Sequence, residues 1–392
     1  HGDASEEVEI LVASVIPEGA ACALDEQGGH SQVGFRDELV VNGRRDLITM
    51  PQGERDLYRA QHRVARVRAI GTAATAALLG VTVALLLALT IPLVTHGRVD
   101  AVWLAEHHFT TFSVCPSVHM LGTLAAARTR KLRIGTAVSL AALYNPLRLA
   151  EEVALLDMLS GGRVNWGAGR GFSHAEFDAF GVPPEESADR FREAVEIVLA
   201  TWTQERLSFK GKYFSYDGIE VMPKPLQAPH PPVWMAATSE GAIDWAAGRG
   251  FSILMDPHAS FRELGAKRTR YREQLARAGF SDEGRDIPMA RLMALAPTKE
   301  KAEEVARRGA QWLVDAYAGP QHSHRKTLQP RTYDGKDPVQ HYLDSVIVYG
   351  TPESVVEQIA RLEEEVGLNY LMCAPLSRET FTLLADRDVP RL

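Results

Sequence analysis

From residue 99 onward, short apolar runs alternate with longer stretches in which apolar residues recur at helical spacing. Short runs of Val, Ile, Leu and Ala predict buried strands, and the amphipathic stretches between them predict helices. The alternation indicates an α/β fold with a parallel sheet and helices outside it, and roughly eight strand signals favour a closed TIM (β/α)8 barrel. The predicted strands are 101–104, 132–140, 164–168, 232–237, 251–255, 288–296 and 369–374.

Helices are predicted between these strands, and several have recognisable ends. Pro146 stands where a first helical turn tolerates proline, and Gly161-Gly162 ends the same helix. The predicted helices are 114–128, 147–159, 188–201, 240–247, 261–278, 299–314 and 352–366.

Two longer segments interrupt the repeat. Residues 207–231 are rich in glycine, proline and aromatic residues and predict a small hairpin. Residues 319–341 are polar and too long for an ordinary strand-to-helix loop, so we expect a mobile lid there. This segment contains His322 and His324, which lack a convincing third ligand, and we assign no metal to them.

The first 98 residues do not follow the repeat. Residues 1–60 show little periodicity and are interpreted as an atypical N-terminal extension of unknown role, with a possible strand within 8–16. The barrel is expected to occupy 61–392. The composition changes abruptly near Val99, which also allows that the preceding residues are not native coding sequence.

An uncharged apolar stretch, residues 71–95, follows three arginines, and a helix of this length would cross a bilayer. The alternative is that it supplies the first strand and helix of a soluble domain, since its alanine content and its threonine, glycine and proline interruptions suit a buried helix equally well. We favour the second interpretation, and a membrane association is not expected.

Composition narrows the function classes. The 392-residue chain carries a formal net charge of −7, which argues against a nucleic-acid partner because such proteins need basic patches. Its three cysteines, Cys22, Cys115 and Cys373, are far apart and form neither a disulfide framework nor a CxxC pattern. We therefore expect a reducing compartment and a cytoplasmic protein.

The clearest candidate chemistry follows the apolar run 101–105. Glu106, His107 and His108 come directly after it and place a carboxylate and two imidazoles at the carboxyl end of a strand, where barrel enzymes carry their catalytic residues. Imidazole titrates near neutral pH and suits acid–base work. The alternative is a solvated polar loop without a catalytic role.

Two segments could bind a phosphate. Gly167 to Gly171 follows a strand and carries Arg170, although its GxGxG spacing differs from the dinucleotide fingerprint, and the alternative is a tight turn with a surface arginine. Thr238 and Ser239 lie between a strand and a helix, where free N–H groups bind anions, or where Ser239 simply caps the helix. If the two segments converge, one phosphate could be held by Arg170, Thr238 and Ser239.

Aromatic residues follow several predicted strands and could form a wall for a flat ligand, although each is equally compatible with simple packing. They are Phe109, Phe112, Tyr144 and Phe172.

Several ordered motifs together resemble those of the bacterial luciferase-like flavin monooxygenases, from about residue 99 to the C-terminus. They are Ala105-Glu106-His107-His108-Phe109, Asn145-Pro146, Leu149 to Asp157, Ser160-Gly161-Gly162-Arg163, Gly167 to Gly171, Asp244 to Gly250, and Gly350-Thr351-Pro352-Glu353.

The resemblance implies a TIM barrel with insertions that uses reduced FMN and O2 to oxidise a small organic substrate through a C4a-peroxyflavin. It also implies a separate flavin reductase that supplies the reduced FMN, and we expect a homodimer. His107 would be the active-site histidine, with Glu106 beside the flavin. Ala137 and Val138 match a pair that contacts the isoalloxazine ring and often has a cis peptide. Arg170, Thr238 and Ser239 match the phosphate-binding residues, and Phe172 and Ala237 complete the expected flavin site.

Two departures from the family pattern concern the site. Gly169 stands at the position of the luciferases' reactive cysteine, so thiol chemistry beside the flavin is not expected. The family's short first strand is not recognisable before residue 99. The alternatives are a deazaflavin (F420)-dependent oxidoreductase on the same barrel, a branch that usually lacks the Glu-His-His motif, and a non-catalytic flavin-binding paralogue.

Overall fold

Parallel strands with buried side chains form a barrel in the computed structural model. The structure describes residues 9–12, 100–109, 115–318, 333, 335 and 337–384. The chain divides into one compact unit, His1–Ile16 with Ile91–Leu392, and a second, Pro17–Thr90, which lies outside the described residues. The barrel belongs to the first unit.

The described strands are β1 (Glu9–Val12), β2 (Ala101–Leu104), β3 (Arg133–Thr136), β4 (Ser139–Leu140), β5 (Val164–Gly169), β6 (Leu207–Lys210), β7 (Ser215–Ile219), β8 (Val233–Ala236), β9 (Ser252–Leu254), β10 (Met289–Leu295), β11 (Val348–Gly350) and β12 (Leu371–Pro375).

The sheet order shows how the barrel closes. Neighbours run β10-β12-β1-β2-β3-β5-β8-β9, all parallel, and a parallel bridge between Met255 and Met289 joins the end of β9 to β10. Strand β4 pairs with β5 and β11 pairs with β10. The predicted (β/α)8 barrel is therefore confirmed, with the carboxyl ends of its strands at one rim.

The described helices are α1 (Val118–Arg128), α2 (Pro146–Ser160), α3 (His174–Phe180), α4 (Ser187–Thr203), α5 (Glu240–Gly248), α6 (Phe261–Arg277), α7 (Lys299–Ala318), α8 (Pro338–Ser345), α9 (Pro352–Val366) and α10 (Arg378–Leu384).

Burial explains why the strands are continuously apolar. Every residue of β5 and β10 is buried, as expected for parallel strands covered on both faces. Inside the barrel, Trp103 and Trp234 meet edge to face with ring centroids 5.4 Å apart. Between the sheet and the helices, Trp166 contacts Trp202 at 5.0 Å. The core thus has an inner layer and an outer layer.

Several predicted helix ends are confirmed. Helix α2 begins with Asn145 as its N-cap and Pro146 in its first turn, and it ends at Gly161, whose φ of 73° is favourable only for glycine. The hairpin predicted within 207–231 is formed by β6 and β7. The carboxylate of Glu193 on α4 holds its turn by accepting the backbone N–H groups of Lys212, Tyr213 and Phe214.

Three predicted elements are corrected. The strand predicted over 132–140 is divided: β3 ends at Thr136, and β4 resumes the pairing with β5 at Ser139, after Ala137 and Val138. The helix predicted from residue 114 begins at Val118, where Ser117 caps it. Part of the polar segment 319–341 is helical: α8 begins at Pro338 with Asp337 as its N-cap, a start signal that the segment's polarity obscured.

Strand β1 lies between β12 and β2, with Glu9 paired to Met372 and to Ala101. The possible strand within 8–16 is therefore confirmed, and it is the first barrel strand, which the family pattern does not reveal before residue 99. The expected boundary between an extension over 1–60 and a barrel over 61–392 stays a prediction.

Two further expectations concern segments outside the described residues, namely the apolar stretch 71–95 and residues 319–332 of the expected lid. Among the helices that are described, none combines the length and the apolar character needed to cross a membrane.

Candidate functional site

A cavity of about 740 Å³ opens at the carboxyl ends of the barrel strands. The structure brings eight of the nine predicted site residues to its wall. They are Glu106, His107, Ala137, Val138, Arg170, Phe172, Thr238 and Ser239. The ninth, Ala237, is 1% exposed, and its side chain belongs to the hydrophobic core. The segments converge because parallel strands end at one rim.

The two adjacent histidines have different surroundings. His107 lines the cavity, where its ring meets Phe172 edge to face at 6.1 Å. The ring of His108 packs against Phe180 at 4.9 Å, and its Nε2 lies 2.9 Å from Oε1 of Glu106. His107 is therefore the imidazole at the cavity wall, and His108 belongs to the supporting structure.

Glu106 is 2% exposed, and its carboxylate is the centre of a hydrogen-bond network. One oxygen accepts the hydroxyl of Tyr144 at 2.9 Å and lies equally close to His108, and the other accepts the backbone N–H of Leu140 at 3.1 Å. A buried carboxylate is stable only when hydrogen bonds replace its hydration. Two of these partners lie in the connection from β3 to α2, so Glu106 joins the segment after β2 to β4 and to the start of α2.

Sequence reasoning missed Glu176, which lies on the short helix α3 and is 2% exposed. Its Oε1 accepts the backbone N–H of His108 at 2.9 Å and lies 3.8 Å from Nδ1 of His107. The local signal was only an acidic residue in the first helical turn, in a segment where glycine and prolines argued against a helix. Glu176 therefore holds the backbone at His108 and lies beside the ring of His107.

Burial and the carboxylates shift several pKa values at this wall. The hydrogen bond to Glu106 raises the pKa of His108 above its usual value, against the opposing effect of burial. Burial, together with the charge of Glu106, raises the pKa of the Cys115 thiol to about 11 and that of the Tyr144 hydroxyl as well. The thiol and the phenol therefore stay protonated at neutral pH.

A compact backbone surface lies between β3 and β4. The Ala137–Val138 peptide bond is cis, as the resemblance implies. Val138 packs against Gly169, and a Cβ atom at position 169 would come within 2.3 Å of Val138 Cγ2. A glycine at position 169 is thus required by the close packing of Val138.

Cationic side chains line another part of the cavity. Arg170 is half-buried, and among the described residues its guanidinium has no hydrogen-bond or ion-pair partner. Burial, with the nearby charge of Arg192, lowers its pKa. Lys267 lines the same cavity. A half-buried cation without a counter-charge is costly, so this corner favours an anionic ligand group.

Thr238 and Ser239 lie beside this corner at the start of α5. The Ser239 side chain accepts the N–H of Ala242 at 3.4 Å, so it is the helix cap, and it also lines the cavity. The hydroxyl that caps the helix can also donate a hydrogen bond to an anion, so Ser239 can serve as cap and as ligand contact together. The N-terminus of a helix adds a favourable dipole.

The match to a known family begins at residue 99, where the regular α/β pattern of the sequence also begins. The family model described as luciferase-like monooxygenase matches residues 99–369. An uncharacterised protein of Sinorhizobium fredii, y4wF, is 32% identical over 273 residues, covering 69% of this chain and 78% of its own length. The alkanal monooxygenase alpha chain of Aliivibrio fischeri is 26% identical, with 70% of this chain and 81% of its own length covered.

A shorter match concerns the oxygenase component of the flavin-dependent trigonelline monooxygenase of Acinetobacter baylyi. It is 28% identical over 163 residues, which are 41% of this chain and 45% of that protein.

Solved structures share the fold. The monooxygenase RslO1 of Streptomyces bottropensis is 25% identical with a TM-score of 0.63, over 76% of this chain and 88% of its own. The oxygenating constituent of 3,6-diketocamphane monooxygenase of Pseudomonas putida, in complex with FMN, has a TM-score of 0.63 at 19% identity, over 77% and 91% of the two chains. An F420-dependent secondary alcohol dehydrogenase has a TM-score of 0.62 at 19% identity, over 77% and 94%.

Gly169→Ala tests the packing beneath the cis peptide. The added methyl group would overlap Val138, and we expect the free energy of unfolding to fall by about 1–3 kcal/mol. Combining it with Val138→Ala should recover most of the loss. Gly248→Ala is the control, since nothing lies within 4 Å of its Cβ. Denaturant unfolding checks the series, and a Gly169→Ala protein as stable as the wild type would contradict the packing.

Proposed function

The chain belongs to the luciferase-like monooxygenase family, and on that premise we propose that it binds FMN in the barrel cavity and uses reduced FMN and O2 to oxidise a small organic substrate. The observation that carries the proposal is the half-buried guanidinium of Arg170 at the cavity wall, which has no partner among the described residues.

The phosphate of FMN fits the cationic corner. Arg170 can donate two parallel hydrogen bonds to phosphate oxygens, and Thr238 and Ser239 can add hydroxyl donors at the N-terminus of α5. Arg192 lies near enough to Arg170 to influence its pKa and would add positive charge. A dianionic group would relieve the cost of holding these cations near one another.

The isoalloxazine ring fits the surface formed by Ala137 and Val138. Their small side chains, and the absence of a side chain at Gly169, leave room for a flat ring to approach the backbone. Phe172 stands on the same wall and would border the ring. Ala237 is too deeply buried for a side-chain contact, so we include only its neighbours in the proposed flavin site.

When bound and reduced, the flavin supplies the reaction with oxygen. The chain's own contribution is to orient the ring, exclude water and control one proton. We assign proton control to His107, which lines the cavity and is backed by Glu176. We assign Glu106 a positioning role instead of the catalytic role expected from the sequence, because three donors already occupy its carboxylate.

The reduced flavin would come from a separate reductase. Support comes from the similarity to a protein described as an oxygenase component, a term used for systems in which flavin reduction and oxygenation reside on different chains.

A deazaflavin-dependent oxidoreductase is the second candidate, since an F420-dependent dehydrogenase has the same fold and the barrel alone does not choose between the two. The Glu106-His107-His108 motif favours FMN. Oxygen consumption with reduced FMN, measured below, separates the two cofactors. A non-catalytic paralogue would neither consume oxygen with reduced FMN nor form product.

We also propose that two copies associate through α1 and α2. Large apolar side chains are exposed at helical spacing on these two adjacent helices. They are Met120 at 76%, Leu124 at 36%, Leu155 at 48%, Met158 at 49% and Leu159 at 57% exposure. A contiguous exposed apolar patch is typical of a protein interface, and a self-complementary patch gives a two-fold dimer.

Arg170→Ala should weaken FMN binding about 10- to 100-fold, because a hydrogen bond to a charged group is worth roughly 1.5–3 kcal/mol. Riboflavin, which lacks the phosphate, should bind the variant and the wild type alike. Quenching of flavin fluorescence measures both. Arg249→Ala serves as the control, since Arg249 pairs with Glu196 at 2.6 Å. Unchanged FMN affinity in Arg170→Ala would contradict the proposed phosphate site.

His107→Ala should keep FMN affinity within a few-fold and lower product formation by about 10²–10⁴. The oxygen consumed should then appear as hydrogen peroxide. The measurement is oxygen uptake with reduced FMN, together with peroxide and product, over a panel of aldehydes, ketones and phenols. If the variant forms as much product per oxygen consumed as the wild type, His107 has no role in the mechanism. If the wild type consumes no oxygen with reduced FMN, the deazaflavin or non-catalytic alternatives are favoured.

Leu159→Glu should convert the dimer to a monomer, because it places a charge within the exposed apolar side chains of α2. Sedimentation velocity checks the mass. Phe280→Glu, at a residue that is 41% exposed and lies beside Gly250 after α6, should leave the dimer intact. A wild-type monomer, or an unchanged Leu159→Glu dimer, would contradict this interface.

A further inference from the structure

One part of the cavity wall is not used by the proposed flavin site. The flavin residues come from β2, β3, β5 and the β8–α5 connection, whereas another group lies on β10, β12, α8 and the segment that follows β9. This second group is largely apolar, with Leu292, Met372 and Ala374 contributed by the strands. It leaves space for a second ligand beside the flavin.

A hydrogen-bonded pair of polar side chains stands in this apolar wall. The hydroxyl of Tyr342 lies 3.3 Å from Nδ1 of His258, and their rings meet edge to face at 6.0 Å. Tyr342 is 1% exposed, yet both residues line the cavity. A few placed polar groups in an otherwise apolar cavity are the usual means of fixing a ligand's orientation.

The aromatic surface continues beyond this pair. His341 meets Tyr342 at 6.3 Å and Tyr333 at 5.7 Å, with interplanar angles of 89° and 74°. Both His341 and Tyr333 line the cavity. Successive rings at nearly right angles expose edges and faces, which suits the edge-to-face contacts that a flat ring makes.

The pair is held by a buried arginine. Arg291 on β10 is 1% exposed, and its guanidinium donates to the carbonyl oxygens of Asp256 at 2.6 Å and Ala259 at 2.8 Å, on either side of His258. It also reaches the carbonyl of Val346 at 3.5 Å, at the end of the helix that carries Tyr342.

Burying a charged guanidinium is costly unless its donors are satisfied, and removing one partner costs more than the pair contributes. Burial lowers the pKa of Arg291 to about 10, so the group stays charged at neutral pH. The N–H of His258 also donates to the Asp256 carboxylate at 2.9 Å. Arg291 and Asp256 thus fix the two elements that bring His258 and Tyr342 together.

We propose that His258 and Tyr342 form the substrate-recognition pair, which holds one carbonyl or hydroxyl oxygen of a flat, largely apolar cyclic or aromatic substrate. The hydroxyl and the imidazole supply the hydrogen bonds, and the aliphatic and aromatic side chains around them contact the carbon skeleton. Arg291 is a positioning residue for this pair. The inference rests on the proposed function, because it assigns the remaining part of the cavity to the substrate.

The test compares ligands that differ only in the oxygen. The probes are 2-naphthol with naphthalene, acetophenone with ethylbenzene, and cyclohexanone with cyclohexane. Dissociation constants are measured by calorimetry on the chain saturated with oxidised FMN. At least one oxygen-bearing probe should bind about tenfold more tightly than its partner, because only that probe can hydrogen-bond to the pair.

Tyr342→Phe and His258→Asn should each reduce that preference from about tenfold to about twofold or less. Binding of the oxygen-free probe should change less than twofold, and FMN affinity should not change. Tyr349→Phe is the matched control, because Tyr349 does not line the cavity. A variant that lost both probes equally would show a purely structural role and overturn the proposal.

The proposal is also overturned if no probe pair shows a preference in the wild type, or if the preference survives both substitutions. If FMN itself does not bind, the same probe titrations are made on the chain alone. Loss of the flavin site and loss of the recognition pair are therefore distinguished, because the first appears in the FMN titration and the second only in the probe ratios.

Discussion

The buried carboxylate of Glu106 holds the mouth of the barrel together. Its oxygens are bonded to the ring of His108, in the connection from β2 to α1, and to the backbone of Leu140 and the hydroxyl of Tyr144, in the connection from β3 to α2. A buried carboxylate that lost these donors would be strongly destabilised, so the connections are fixed relative to one another. This constraint directs His108 toward the protein and leaves His107 at the cavity wall.

The cavity can be understood as two parts with different chemistry. The part formed by the earlier strands carries cations, a helix N-terminus and a flat backbone surface, which suit a phosphorylated ring. The part formed by the later strands is apolar and aromatic around the His258–Tyr342 pair. Parallel strands bring both parts to one rim, so a cofactor and a substrate could meet next to His107.

Much of the barrel could be predicted because buried parallel strands such as β5 and β10 are continuous apolar runs with helices between them. A strand within 8–16 could be predicted, but its place in the barrel could not, because β1 is short and far from its partners in sequence, and only its pairing with β12 and β2 identifies it as a barrel strand. The sequence motifs also predict that Glu106, His107, Arg170 and Ser239 belong to one site, and all four line the cavity.

The supporting residues of the site were beyond local sequence signals. Glu176 lies on a short helix without a motif, and its importance comes from its distances to the two histidines. Arg291 is a charged residue within an apolar strand, and the carbonyl groups that satisfy it come from separate segments. Such roles depend on tertiary contacts, which periodicity does not encode.

The most direct measurement is a crystal structure of the chain with bound FMN. We expect the phosphate within hydrogen-bond distance of Arg170 and Ser239, the isoalloxazine ring against Ala137 and Val138, and the ring of His107 facing the flavin. A phosphate bound elsewhere, or a flavin lying against His258 and Tyr342 instead, would contradict the account.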